Sequence, residues 1–169
     1  DGAGWKKMTN SETNDLYGVW PASSSKVVAV GDGGDIYYSG GTWTKGYSST
    51  SYSFKGLWAQ KTGSYMYTTR EYTYPYVYYR SKSSTSYWSS VYFGSTYSGK
   101  SFKAIHGVSD NDLYAVGAGG FILQCKSSSC SSSSSWSKPS GFPSTVKSDL
   151  HGVWRSEERR VGKECATGC

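Results

Sequence analysis

Four polar residues share one place in a short repeated motif. The pattern apolar-x-Gly-apolar, closed by Trp or Ser, occurs at Leu16–Trp20, Phe54–Trp58, Ile105–Ser109 and Leu150–Trp154, and its second position holds Tyr17, Lys55, His106 and His151. A phenol, an ammonium and two imidazoles brought to one channel mouth would bind an anion or a polyol. Alternate residues of a strand face opposite ways, so this set points away from its aliphatic neighbours. A water-filled channel would select the same polar types without any ligand. Two histidines fall short of the three or four ligands of a stable metal site, and no carboxylate repeats in step with them.

A second candidate surface is Tyr72, Tyr74, Tyr76 and Tyr78, which fall on one face if the stretch is extended. Exposed tyrosines stack on sugar rings and donate hydrogen bonds to them. The competing reading is an unusually aromatic strand packed on its neighbours, with Pro75 favouring an edge or a loop.

Catalytic patterns are weaker. A glycosidase needs paired carboxylates, but Asp32, Asp35, Asp110 and Asp112 stand in turn-like contexts where Asp serves backbone hydrogen bonds. The serines include no Gly-x-Ser-x-Gly elbow. Gly31-Asp32-Gly33-Gly34 lacks the Lys-Ser/Thr ending of a phosphate-cradling loop and leads into a strand, so no cofactor is implied. Cys125 and Cys130 enclose four residues, a spacing suited to a disulfide clip across a hairpin in an oxidising compartment, with a pair of reduced thiols as the alternative.

The elements that must position these residues are strands. The 169 residues include 16 Tyr, 7 Trp and 21 Gly, a composition that suits pleated surfaces and tight turns and points to an all-β fold. The formal charge of +6 comes from singly scattered basic residues, which argues for a solvated surface rather than a nucleic-acid partner. No apolar run approaches the roughly 20 residues a transmembrane helix needs. The chain starts at Asp1 without an initiating Met; either a signal peptide has been removed or the sequence is an internal piece.

The motif glycines 18, 56, 107 and 152 recur at intervals of 38, 51 and 45 residues, near the about 40–50 of a four-stranded propeller blade. Val30-Gly31-Asp32-Gly33-Gly34-Asp35-Ile36 is echoed by Val116-Gly117-Ala118-Gly119-Gly120-Phe121-Ile122. Each reads as a hairpin whose glycines supply positive φ. In the second unit Tyr65–Thr69 and Tyr76–Arg80 occupy the second and third strand places and Trp88 closes, with the glycines lost. Serine runs at 48–53, 81–90 and 127–135 read as outer loops.

These units, with Leu16-Tyr17-Gly18-Val19-Trp20 and Gly41-Thr42-Trp43, resemble the repeats of the Asp-box (bacterial neuraminidase repeat) and photosystem-assembly-factor-like β-propeller families. The resemblance spans nearly everything before Arg155. The full Asp-box hairpin, Ser-x-Asp-x-Gly-x-Thr-Trp, is absent, with Tyr38 at the Asp position.

From Arg155 the character changes to the string Arg155–Cys165, which looks like the translation of a sequencing-library adapter; a charged helix is the alternative. The expected organisation is a β-propeller fragment over residues 1–154, about three and a half four-stranded blades, followed by a non-native tail at 155–169. Closed propellers generally use at least four blades, so the missing ones are absent or supplied by self-association. The expected function is a secreted or cell-surface, non-catalytic module binding a glycan, peptide or protein. A piece of a propeller glycoside hydrolase or lyase, or a structural, adhesive extracellular protein, are the alternatives.

Overall fold

The computed structural model describes residues 13–39, 42–84 and 87–156, with the side chains of all of these except 36–39 and 47–52. Gly40, Gly41, Cys165, Cys169 and the rest of the segment 157–169 lie outside the described residues.

Every described strand pairs antiparallel with its sequence neighbour. One sheet has the order β1 (Leu16–Pro21), β2 (Lys26–Ser39), β3 (Thr42–Ala59), β4 (Tyr65–Arg70), β5 (Tyr76–Ser81) and β6 (Ser89–Tyr92). The other runs β10 (Trp136–Ser137), β9 (Ile122–Lys126), β8 (Asp112–Gly117) and β7 (Phe102–Ser109). β3 serves twice, pairing with β2 through Thr42–Ser53 and with β4 through Phe54–Ala59. Short 3-10 turns are the helical segments among the described residues.

Side chains leave both faces of the middle strands because both faces are covered. In β5, Tyr78 enters a core with Val28, Val30, Phe54, Met66 and Trp88, while its neighbour Val77 enters another with Trp58, Phe102, Leu113 and Trp136. This two-sided burial explains the unbroken aromatic and aliphatic runs in these strands.

The innermost strands, β1, the second half of β3 and β7, lie side by side. A Cβ on Gly18 would stand 2.9 Å from Leu57 Cβ, and one on Gly56 would stand 2.9 Å from Ala104 Cα. All three carry a register irregularity near their start, between Leu16 and Gly18, Phe54 and Leu57, and Phe102 and Ala104. Such bulges re-aim a side chain.

The two glycine-rich copies diverge. Gly117 to Ile122 turns back on itself as expected, through Gly119 (φ 61°) and Gly120 (φ 72°), between β8 and β9. The first copy does not turn at its glycines. There β2 runs on through Gly33 (φ 82°) and Gly34 (φ 120°), which shift its register against β3 without reversing the chain. The copies also differ at the next residue: Phe121 packs against Phe102 and Tyr97, whereas Asp35 is buried with hydrogen bonds from Arg80 and Trp88. Asp35 is therefore a buried ion-pair partner and not a turn residue.

Cys125 and Cys130 form a disulfide, with 5.8 Å between Cα atoms. The Cys130 carbonyl accepts a hydrogen bond from Trp136 Nε1 at 3.1 Å, so the clip sets the closing tryptophan against β9.

Candidate functional site

The structure re-registers the third copy of the short motif. Gly31 and Gly117 make the same approach, a Cβ on each lying 2.0 Å from Asp15 O and 1.9 Å from Ser101 O. Matching backbone bonds run from Asp32 N to Asp15 O, from Glu71 N to Ser53 O and from Ala118 N to Ser101 O, each 3.0 Å. Leu16, Phe54 and Phe102 are thus equivalent, and so are Tyr17, Lys55 and Lys103. His106 falls three residues late, in the place of Trp20 and Trp58.

Two arrays follow from this register. Tyr17, Lys55, Lys103 and His151 line one cavity of about 260 Å³ with Glu71, the residue after β4. His106 instead joins the series Trp20, Trp58, His106 and Trp154, with successive ring centroids 6.4, 5.9 and 6.4 Å apart. These line a groove of about 510 Å³ at the other ends of the same strands. The convergence expected for Tyr17, Lys55, His106 and His151 therefore holds for three of them, with Lys103 in place of His106. His106 and His151 thus line different cavities, and among the described residues no group of three or more His, Cys, Asp or Glu is placed to hold a metal ion.

The first array is an arc of alternating charge. The Tyr17 hydroxyl donates to Asp32 Oδ2 at 2.9 Å. Lys55 Nζ stands 3.5 Å from the Tyr17 ring centroid and 3.1 Å from Glu71 Oε2. Lys103 Nζ lies 4.0 Å from Glu71 Oε1 and 3.1 Å from Asp149 Oδ2. Asp149 Oδ1 accepts from the Gly119 amide at 2.8 Å. Hydrogen bonding fixes the charges: the Gly119 N–H and then Lys103 hold the Asp149 carboxyl below its ordinary pKa. The Ser53 hydroxyl holds Asp32 low, against partial burial and with further help from Tyr17. Burial alone would lower Lys55, but Glu71 and Tyr17 outweigh it and raise its pKa.

The expected row of four tyrosines is broken by a turn. Tyr72 and Tyr74 precede β5, where Tyr72 is 46% exposed, while Tyr78 is 4% exposed and packs edge-on against Phe54 at 5.2 Å. The surface that does form combines Tyr72, Tyr74 and Tyr76 with Tyr92 on β6, whose ring stacks on Tyr76 at 5.0 Å. Beneath it the Arg70 guanidinium lies 4.2 Å from the Tyr72 ring and donates to the Tyr78 hydroxyl at 3.2 Å. Arg70 and Glu71 are adjacent, so the tyrosines and the charged arc occupy the same end of the strands.

Asp110 caps the Ser64 amide at 2.8 Å, a backbone role. Asp112 pairs with Arg155, whose backbone N–H also donates to His106 Nδ1 at 3.3 Å and whose guanidinium lies over the Tyr114 ring at 5.4 Å. Arg155 therefore packs on the sheet although the composition changes there. Sequence reasoning missed Lys103, although Ser101-Phe102-Lys103 repeats Ser53-Phe54-Lys55. It also missed Glu71, Asp149 and Tyr92, for which the motif carries no signal.

No protein-family model and no curated protein matches the chain. Solved structures define its fold class as a β-propeller. It superposes on YCF48, a photosystem assembly factor of that fold, in the structure of YCF48 bound to D1 peptide. The TM-score is 0.58 at 16% identity, over 75% of this chain and 40% of YCF48. YCF48 from Cyanidioschyzon merolae gives a TM-score of 0.52 at 16% identity, over 70% and 39%. The chain spans about two fifths of the length of these proteins.

Proposed function

We infer that the chain is a non-catalytic propeller module that holds a peptide segment of a protein partner at the end carrying Tyr17, Lys55, Glu71, Lys103 and His151. One observation carries the reading: three equivalent strand positions, Tyr17, Lys55 and Lys103, surround one cavity with His151 and Glu71, and Glu71 lies between the two lysines, the second of which also pairs with Asp149. Such an array exchanges internal ion pairs for pairs with a ligand of complementary charge and so discriminates register and sequence. The Tyr72–Tyr92 surface beside it supplies rigid rings. The binding of D1 peptide by YCF48, a protein of the same fold, lends support. In this reading the two sheets and the segment 147–156 are the three and a half blades of an arc. The disulfide favours an oxidising, extracellular setting.

The test is selection of peptides from a displayed library on the purified chain, followed by calorimetry of the best binder. Lys55→Met with Lys103→Met should weaken it by about 100-fold, as loss of two charge-assisted contacts implies. Selection that yields no peptide, or one indifferent to both substitutions, refutes the reading.

A further inference from the structure

At the strand ends opposite the charged arc, between the start of β4 and the turn after β7, lies a pocket of about 390 Å³. Its walls include Tyr65, Tyr67, Tyr79, Asp110, Asn111 and Ser129, the last from the disulfide loop. The Asp110 carboxylate is pressed against Gly63, where a Cβ would stand 2.7 Å from Oδ2 and 2.8 Å from Oδ1. Its Oδ2 accepts from the Ser64 amide at 2.8 Å, but Oδ1 is buried and no described residue donates to it. The Tyr67 hydroxyl donates to the Asp110 carbonyl at 3.3 Å, and the rings of Tyr65, Tyr67 and Tyr79 lie 6.0 to 6.5 Å apart.

With one hydrogen bond to share its charge, the Asp110 carboxylate leaves a negative field in the wall of the pocket, which attracts a cation. The pocket also selects the sign of its ligand. Among the described residues no lysine or arginine lines it, and Lys82 nearby donates to the carbonyls of Gln60 and Lys61 at 2.9 Å each. Burial, then Asp110 and the two other tyrosines, raise the Tyr67 pKa, so this phenol adds no competing negative charge. An anion would meet the Asp110 carboxylate with no cationic side chain in the described lining to offset it. A neutral alcohol brings one donor and no charge, whereas an alkyl-ammonium brings three N–H donors and a charge that both a carboxylate and aromatic rings attract.

We propose that this pocket binds an alkyl-ammonium group, with the Asp110 carboxylate in its wall attracting the charge and the hydroxyl oxygens of Tyr65 and Tyr79 accepting N–H bonds.

The experiment is a titration of the ¹⁵N-labelled full chain with n-butylammonium chloride, followed at the Ser64 and Asn111 amides, with 1-butanol and D-glucose as neutral comparisons. Saturable shifts with the ammonium alone are expected. Asp110→Asn keeps an acceptor for the Ser64 amide, so the fold is retained, but it should lose about tenfold or more in affinity. Tyr65→Phe, at an exposed ring, should lose a few-fold. The proposal fails if butanol or glucose shifts the same amides as strongly, if no shift saturates, or if Asp110→Asn binds like the parent chain.

Discussion

Lys55 Nζ stands 3.5 Å above the Tyr17 ring, joining equivalent positions of adjacent inner strands. A bulge beside each residue turns both side chains to the same cavity. The contact adds a cation–π attraction, worth about 0.5–1 kcal/mol at a partly exposed site, to the ion pair with Glu71. The arc is thus a chain of mutually dependent charges, and its behaviour with pH follows from the direction of each shift.

Asp32 and Asp149 have pKa values below the ordinary 3.8, so they stabilise the fold above that value and their contribution is lost as pH falls through the depressed values. Lys55 is raised above 10.5, so its contribution is complete below that value and is lost as pH rises through the raised one. Urea midpoints should be flat between about pH 5 and 9 and fall outside that window. Asp149→Asn should flatten the acid side, because one depressed carboxyl has gone. An unchanged acid slope in that variant would show that the arc does not couple to folding.

Gly117 is required by close approach rather than by φ. Its backbone is extended, with φ −173°, yet a Cβ would meet Ser101 O at 1.9 Å and Phe102 Cα at 2.8 Å. Both obstacles are backbone, so the strands would have to separate. Gly117→Ala should cost about 1–3 kcal/mol or more, read by chemical denaturation. At Gly152 a Cβ meets nothing within 4 Å, so Gly152→Ala should stay within about 0.5 kcal/mol of the parent. Equal stability of the two variants would refute the packing argument.

The same glycines explain how far the sequence could be read. The strand places of Tyr65–Arg70 and Tyr76–Ser81 follow from period and composition, because strands covered on both faces need only be aromatic or β-branched. Register was harder. Ile105-His106-Gly107-Val108 imitates the motif three residues late, and the discriminating signal was the repeated Ser-Phe-Lys before it. Glu71 and Asp149 enter the site from segments outside the repeat, so no spacing rule reaches them. The tyrosine row assumed extended chain through Pro75, but the reversal at 71–75 puts Tyr72 at the surface and leaves Tyr78 in the core. Asp35 was illegible for a different reason: its partner Arg80 is 45 residues away.

That pair supplies the remaining test. Arg80 Nη2 meets Asp35 Oδ2 at 2.9 Å, Trp88 Nε1 donates to Oδ1 at 3.1 Å, and the guanidinium lies 4.3 Å from the Trp88 ring. Both side chains are almost wholly buried, at 1% and 0% exposure, so their attraction offsets a large desolvation cost and neither tolerates loss of the other. Asp35→Ala should cost about 3–5 kcal/mol because it strands a buried guanidinium. Replacing both, as Asp35→Leu with Arg80→Met, removes the unpaired charge and should recover most of that loss. The pair ties β2 to β5 at the point where β2 runs past its glycines instead of turning. If the double substitution is as unstable as Asp35→Ala, the ion pair sets the path of β2 as well as its stability. Recovery would mean that apolar packing alone can hold that path.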